Sequence, residues 1–226
     1  MDGFLLVDKP LYWSSYDVIR HIKKIMAQPQ EKIGHTGTLD PIAQGLLILC
    51  FGKNTRSAAL LINQEKEYFA RIRLGETRDT DDITGRIVSQ KSVEITEEKL
   101  KETLQSFTGE ILQIPPMYSA IKVEGVKLYK LARRGQSIKI KPRKINIKSI
   151  TLQKYNSPVL ELKVVCSKGT YIRALARDVG EKLGCGACME ALTRTRIGKF
   201  ALSSAVSPKT IKSAAEIQER LINENN

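Results

Sequence analysis

The stretch GHTGTLDPIAQGLL, residues 34–47, places a histidine, two threonines and an aspartate among glycines, directly ahead of an apolar run. Glycine, threonine, aspartate and proline together favour a turn. The residues that follow, 45–52, have the composition of a buried strand. The pattern therefore predicts a polar loop that carries Asp40 and leads into a strand. A plain structural turn would explain the same composition, so the function of this loop depends on the rest of the chain.

The segments around this loop show strand and helix patterns without a regular strand-helix alternation. The predicted strands are residues 3–7, 45–52, 67–74, 144–152 and 160–166, and the predicted helices cover a segment capped by Ser14 or Ser15, 57–62, 96–107, 171–183 and roughly 208–221. In the strand 67–74, period-two alternation places Tyr68 on the face that points to the core or to a cleft. The arrangement predicts an α+β fold with a mixed, largely antiparallel central sheet flanked by helices.

Charge identifies the class of partner. The 226 residues include 37 Lys and Arg against 24 Asp and Glu, a net charge of +13, which calls for a polyanion such as nucleic acid or an anionic membrane. The longest apolar runs are far shorter than the ~20 residues that span a bilayer, and the first residues do not form a secretory signal. We therefore expect a cytoplasmic protein without a membrane partner. Nucleic acid is the favoured polyanion.

The positive charge is concentrated in one window. Residues 122–148 contain ten basic residues and one acidic residue, Glu124, a net charge of +9. Tyr118 and Tyr129 lie among or beside these cations. A run of charge is often only a solvated face, but this one-sided cluster with interleaved tyrosines favours a surface that binds a phosphate backbone.

Motifs for metals and cofactors fail on inspection. Cys185 and Cys188 have CxxC spacing but lack a second pair or a nearby histidine, which disfavours zinc or redox chemistry and favours ordinary reduced thiols. The segment 79–85, DTDDITG, resembles the start of a calcium loop, but Thr84 stands at the sixth position, where glycine is required. No P-loop pattern is present. The sequence predicts neither a metal nor a nucleotide cofactor.

Taken together, five ordered blocks resemble the bacterial tRNA pseudouridine synthase B family, whose members isomerise a uridine in the T loop of tRNA. The blocks are GFLLVDKPLYWSS (3–15), GHTGTLDPIAQGLL (34–47), KEYFARIRLG (66–75), QIPPMYSAIKVEGVKLYKLARRG (113–135) and CSKGTYIRALARDVGEKLGCGA (166–187). The resemblance covers nearly all of residues 3–200. It implies an isomerase that converts uridine at position 55 to pseudouridine, with the T arm of tRNA as partner and no cofactor.

The resemblance also implies a domain organisation. Residues 1–205 correspond to the family's catalytic domain, with a basic thumb-like insertion at about 114–136 that closes over RNA. Residues 206–226 are enough for a short C-terminal helical tail, whereas family members usually continue into a small β domain. We expect a catalytic domain without that extra domain, acting as a monomer. A non-catalytic tRNA-binding or tRNA-folding module of the same fold is the alternative.

The resemblance implies three catalytic residues. Asp40 matches the family's single catalytic aspartate, which acts on the ribose either as a nucleophile or as a base that takes a sugar proton. Arg173 matches the arginine that pairs with this aspartate, although a helix-surface arginine would give the same sequence pattern. Tyr68 matches the tyrosine on which the target base stacks and which can serve as a base, although it is equally consistent with a core tyrosine.

Further residues match positions that contact the substrate. The target uridine must leave its stack, and His35 matches a residue that fills the resulting gap in the RNA. Tyr171 and Leu192 match the lining of the uracil pocket, although Leu192 is also consistent with plain core packing. Lys9 matches the lysine beside the catalytic loop. Within the basic window, the cations predicted to contact RNA phosphates are Lys130, Arg133 and Arg134.

Overall fold

The computed structural model describes residues 1–123 and 125–223. Glu124 of the predicted insertion and residues 224–226 of the predicted tail lie outside the described residues. In chain order, the helices are α1 (Ser15–Met26), α2 (Ala58–Ile62), α3 (Glu97–Gln105), α4 (Leu128–Arg133), α5 (Ile172–Leu183) and α6 (Ala214–Glu219). No helix in the part of the chain that the structure describes has the length and apolar character needed to cross a membrane.

The strands account for most of the remaining regular structure. They are β1 (Gly3–Lys9), β2 (Ile33–His35), β3 (Ala43–Phe51), β4 (Lys66–Leu74), β5 (Glu76–Arg78), β6 (Ile87–Gln90), β7 (Gly109–Gln113), β8 (Lys122–Val123), β9 (Val126–Lys127), β10 (Arg143–Asn156), β11 (Val159–Cys166), β12 (Ala187–Ile197) and β13 (Phe200–Ala201). The described chain divides into two compact units. The first consists of Met1–Phe69 and the described part of Leu192–Asn226, and the second of Ala70–Ala191.

In the first unit, β3 is the central strand. It pairs antiparallel with β1, from Gly3 opposite Phe51 to Lys9 opposite Gly45. Its C-terminal half also pairs antiparallel with β2, and its first residues pair parallel with β12. The loop between β2 and β3 connects two strands that pair with each other, and this is the loop that carries Asp40.

Both faces of the β1 and β3 pair are buried. Alternate residues of the two strands pack with the apolar stripe of α1 and with Ile211 and Ile217 of the C-terminal segment. The intervening residues form a second cluster that includes Ile197. Burial on both sides explains why both strands have nearly continuous apolar runs in the sequence. It also fixes the register of β1 against β3, and so the position of Lys9 at the end of β1.

The second unit is built on antiparallel strands. The long strand β10 pairs on one side with β11 and on the other with β7, while β5 pairs with β6 and β8 with β9 in two small sheets. Helix α3 packs against α5 and β10. Helices and mostly antiparallel strands are thus mixed in both units, and the predicted α+β class is confirmed.

Local sequence signals predicted the strands β1, β3, β4, β10 and β11 and the helices α1, α2, α3 and α5 within a few residues of their bounds, whereas α4, the long strand β12 and the shorter strands were not predicted. Ser14 caps α1 through a full capping box with Asp17, and Thr96 caps α3. The alternation of β4 is as predicted, since Tyr68 and Leu74 lie on the same buried face.

The predicted helix at 208–221 is wrong in length. Only Ala214–Glu219 is helical, because Ser213 caps the helix by accepting a hydrogen bond from Glu216 N–H. On either side of it, Val206 bridges Val7 and Ile222 bridges Phe4, so this segment follows the edge of β1 instead. The domain boundaries expected at 114–136 and 205/206 stay predictions.

Candidate active site

The loop that carries Asp40 is fixed by hydrogen bonds within the first unit. Leu39 N–H donates to Ser15 Oγ at 2.9 Å, and the same hydroxyl donates to Leu39 O at 3.2 Å. Tyr12 N–H donates to Pro41 O at 2.7 Å. The residues on both sides of Asp40 are therefore tied to the segment around the start of α1. Asp40 itself is half-buried, so the residue keeps partial access to solvent.

A buried arginine also holds this loop by hydrogen bonds. Arg194 on β12 is 1 % exposed, and its guanidinium donates to Leu46 O at 2.8 Å and to Gly37 O at 3.0 Å. Gly45 lies beside it with φ +100°, and a Cβ at that position would stand 2.4 Å from Arg194 O. The glycine is therefore required by this close approach. The sequence analysis did not identify Arg194, because arginine is ordinarily exposed and no strand was predicted at this position.

Lys9 supplies a buried cation near Asp40. Its side chain is fully buried, and its ammonium donates to Pro10 O at 3.0 Å and to Trp13 O. Burial lowers the pKa of Lys9 from its ordinary 10.5 to about 8; the Asp40 carboxylate opposes this and the Arg194 charge adds to it. The ammonium thus holds the segment after β1 by hydrogen bonds and interacts electrostatically with Asp40.

The lowered pKa of Lys9 makes stability depend on pH. Between about pH 8 and 10.5 the folded protein binds fewer protons than the unfolded chain, so the free energy of unfolding should rise with pH through this window. Below it, the buried ammonium should cost on the order of 3 kcal/mol. The Lys9→Met variant should lack this dependence. Urea unfolding of both proteins from pH 7 to 10 checks it, and parallel curves would contradict it.

Three further predicted residues lie in the first unit. Tyr68 is 8 % exposed on β4, and Leu192 is 8 % exposed on β12 with Ala43 as its parallel neighbour. His35 ends β2 opposite Leu49. Burial, together with the charge of Arg194, lowers the pKa of His35, so its ring is neutral at physiological pH and suited to stacking. Among the described residues, no hydrogen-bond partner reaches its buried Nδ1.

In the second unit, Arg173 is buried near the start of α5, with 5 % exposure. Its guanidinium donates to Thr80 O at 3.1 Å and to Tyr118 O at 2.9 Å. Its Nε lies 3.7 Å from Asp82 Oδ2. A helix-surface arginine is therefore excluded. Arg173 joins the loop after β5 to the segment that begins the predicted insertion.

Asp82 is a residue that sequence reasoning missed. It is buried, and its Oδ1 accepts hydrogen bonds from the Thr80 hydroxyl at 2.9 Å and from Thr84 N–H at 3.0 Å. Its other oxygen faces Arg173. The signal was the DTDDITG segment, which was considered only as a cation loop. Its polar residues instead hold one carboxylate against an arginine of α5.

The next turn of α5 repeats this contact with a second pair. Arg177 Nη1 donates to Asp81 at 3.0 Å and Nη2 to Ile114 O at 2.8 Å. Burial raises the pKa of Asp81 to about 6, against the opposing charge of Arg177. Asp81 has φ +61°, a conformation that aspartate tolerates better than most residues. Arg173 and Arg177 together fix the loop 79–82 to the start of the insertion.

Tyr171 is the N-cap residue of α5 and is held by its backbone. Tyr171 N–H donates to Gln113 Oε1 at 2.8 Å, and Gln113 Nε2 donates back to Tyr171 O at 3.1 Å. Gln113 ends β7 immediately before the insertion. Its buried amide therefore fixes the start of α5 against the start of the insertion.

The predicted phosphate-contacting cations lie on or beside α4. Lys130, Arg133 and Arg134 are all exposed. Arg133 lies 5.5 Å from the centre of the Tyr129 ring, and Lys127 lies 5.8 Å from it. This arrangement offers positive charge around an aromatic ring, as single-stranded nucleic acid sites do.

The site residues thus divide between the two units. Lys9, His35, Asp40, Tyr68 and Leu192 lie in the first, and Lys130, Arg133, Arg134, Tyr171 and Arg173 in the second. All four cysteines are buried free thiols. Among the described residues, no group of three or more His, Cys, Asp or Glu side chains is arranged to hold a metal ion.

Comparison with known proteins gives the class of this chain. The profile described as "TruB family pseudouridylate synthase (N terminal domain)" matches residues 23–172. A second profile, described as "tRNA pseudouridylate synthase B C-terminal domain", matches residues 173–225. The two matches together span most of the chain.

Individual relatives agree. The tRNA pseudouridine synthase B of Clostridium acetobutylicum is 46 % identical over 223 residues, which cover 99 % of this chain and 76 % of that protein. The enzyme of the same name from Endomicrobium trichonymphae is 43 % identical, and the match covers 98 % of this chain and 96 % of that protein.

A solved H/ACA RNP bound to a substrate RNA containing 2′-deoxyuridine includes a chain that is similar with TM-score 0.71 and 27 % identity. The match covers 98 % of this chain but only 56 % of that one, so this chain spans little over half the length of that relative. The fold and the sequence define a pseudouridine synthase. The chain belongs to the TruB family of pseudouridylate synthases.

Proposed function

We propose that the protein isomerises uridine to pseudouridine at position 55 in the T loop of tRNA, with Asp40, Tyr68 and Arg173 as catalytic residues. The observation that carries the proposal is the half-buried Asp40 on a loop braced at both sides, with the buried ammonium of Lys9 close enough to feel its charge. Family membership supports the reaction class, and the names of the curated relatives support tRNA as the substrate.

The reaction conserves all atoms of the substrate. The N1–C1′ bond breaks, the uracil turns, C5 bonds to C1′, and the C5 proton is lost while N1 gains one. One ionised carboxylate is enough if it attacks the ribose or removes a sugar proton, and both roles remain open for Asp40. Simple glycoside hydrolysis, in contrast, generally requires two carboxylates.

The other residues have proposed roles that fit their surroundings. Tyr68 presents a ring for stacking of the flipped base, and the neutral ring of His35 fills the gap left in the RNA. Tyr171 and Leu192 are the residues that we propose to contact the uracil base. Arg173 is the cation that we propose for the Asp40 carboxylate during the reaction. The monomeric state and the cytoplasmic location stay predictions.

Turnover without a cofactor tests the proposal against the alternative of a binding module. An unmodified tRNA transcript incubated with the protein, a metal chelator and no nucleotide should lose one uridine and gain one pseudouridine. Tight binding without conversion would favour the module. Activity that disappears in chelator and returns with metal would contradict the proposed chemistry.

The cations of α4 are expected to determine the salt dependence of RNA binding. Each phosphate contact releases counterions, so log affinity should fall linearly with log salt by ~0.7 to 0.9 per contact. Replacing Lys130, Arg133 and Arg134 by alanine should flatten this slope by about one unit per lost contact, while the rate at saturating tRNA changes little. Filter binding over a salt series measures it.

Arg86→Ala is the matched control, because this side chain is 92 % exposed and lies outside the insertion. It should leave the slope unchanged. A slope that is indifferent to the three changes in α4 would show that the phosphates are bound elsewhere.

A further inference from the structure

The segment that joins β1 to α1, together with the first turn of α1, exposes large apolar side chains. Tyr12 is 76 % exposed, Tyr16 is 68 % exposed and Leu11 is 40 % exposed. Tyrosine rings are usually at least half covered, since they bring a large apolar area to the surface. Trp13, in the same segment, is partly buried against the core of the first unit. The exposure of the two tyrosine rings is therefore specific to these positions.

The backbone at Tyr12 adds a second observation. Tyr12 has φ +66°, in the left-handed region that a bulky side chain rarely adopts and that glycine occupies without strain. Strained residues of this kind persist where the surrounding structure holds them, and they concentrate at functional sites. A tyrosine at this position lowers the stability of the fold relative to a glycine. Because its ring is exposed, packing of the ring offsets little of this loss.

The structure holds this strained segment in place. The buried Lys9 ammonium donates to Pro10 O and Trp13 O, one on each side of Tyr12. Tyr12 N–H donates to Pro41 O, the residue that follows Asp40. The backbone of Tyr12 is therefore tied to the loop that carries the proposed catalytic aspartate.

We infer that Tyr12 and Tyr16 form a stacking platform for an unpaired base of the substrate RNA, next to the uridine that reacts. This inference rests on the proposed function. Aromatic side chains bind single-stranded RNA by stacking on base faces, which are present in loops and hidden in duplexes. Residues 8–24 contain four basic and two acidic residues, a charge that suits RNA.

The same features disfavour other occupants. Two rings and one leucine offer an area well below the ~800 Å² per partner of a standard protein interface. Lys9 and Asp17 are engaged with the segment itself, since Asp17 accepts the N–H and hydroxyl of Ser14. The faces of the Tyr12 and Tyr16 rings therefore remain accessible for a base to stack on.

The experiment measures binding of a labelled T-arm hairpin and of a blunt duplex with the same stem but no loop. Tyr12→Ala and Tyr16→Ala should each weaken hairpin binding about fivefold or more, since a stacked base contributes ~1 to 3 kcal/mol. Both should leave duplex binding within twofold. Tyr12→Trp should keep hairpin binding, and Leu60→Ala, an exposed apolar control at 64 % exposure, should change neither.

Stability separates function from architecture. Tyr12→Gly should lose hairpin affinity as Tyr12→Ala does, yet its thermal midpoint should exceed that of the alanine variant by about 2 to 4 °C, because glycine accepts a positive φ. Equal losses for hairpin and duplex, or no loss for either, would overturn the platform. So would a dimer, seen in sedimentation, that Tyr12→Ala converts to monomer.

Wild-type conversion of tRNA uridine is measured in parallel. Conversion with unchanged hairpin binding in the tyrosine variants defeats the platform alone. Absence of conversion in the wild type defeats the proposed function, and tyrosine-dependent hairpin binding would then still support the platform as an RNA surface.

Discussion

Asp40→Ala is expected to reduce turnover of tRNA by at least about 10⁴-fold while tRNA binding stays within severalfold of wild type. The reason is that a carboxylate that attacks the ribose or removes its proton acts only in the chemical step. The backbone on both sides of Asp40 is held by Ser15 and Tyr12, which limits the effect of the substitution on the fold of the loop. Single-turnover rates and equilibrium binding to the same transcript measure the two effects separately.

Asp40→Asn and Thr38→Ala complete this test. Asparagine keeps the shape and polarity of aspartate without its charge, so it should be as inactive as alanine. Thr38 is an exposed residue of the same loop, and its replacement should leave the rate within severalfold. Equal losses of turnover and binding in Asp40→Ala, with a lowered thermal midpoint, would indicate that the stretch is a structural turn.

Arg173→Lys is expected to lower kcat by about 10² to 10³ with a smaller change in KM. Lysine keeps the positive charge but cannot donate along the separate directions that reach Thr80 O and Tyr118 O. The cation would therefore shift from its place and fill its proposed catalytic role less well. Pre-steady-state kinetics with saturating tRNA measure the loss.

A second variant at the same position separates charge from geometry. Arg173→Met should lose more activity than Arg173→Lys, because methionine removes the positive charge as well as the hydrogen bonds to Thr80 O and Tyr118 O. Arg177→Lys is the matched control, one helical turn away with its own partner Asp81. It should keep kcat within severalfold, and an equal loss there would indicate a general effect on α5.

The sequence predicted those features that depend on local pattern. The alternation of β4 places Tyr68 on the buried face because side-chain direction in a strand follows from spacing alone. The cap of α1 was predicted as Ser14 or Ser15 and that of α3 at Thr96, because capping groups lie within three residues of their partners; the structure has Ser14 and Thr96. The Asp40 loop was found because glycine, threonine and aspartate mark a turn wherever they occur.

The features that were missed depend on partners far away in the chain. Asp82 is surrounded by turn residues, and only the fold shows that its second oxygen faces Arg173. The residue type of Arg194 suggests an exposed side chain. Its burial depends on the carbonyl groups of Leu46 and Gly37, which accept its hydrogen bonds. The strained backbone at Tyr12 has no sequence signature, since φ is known only from the structure.

The most direct test of the central claim is the position of the product in the RNA. An unmodified tRNA transcript is incubated with the wild-type protein in one sample and with Asp40→Asn in a second. In a third sample, the wild-type protein is incubated with a transcript that carries cytidine at position 55. Pseudouridine is then mapped at single-nucleotide resolution. The account predicts pseudouridine at position 55 with the wild-type protein, and none in the other two samples. Pseudouridine at another position, or its formation by Asp40→Asn, would contradict it.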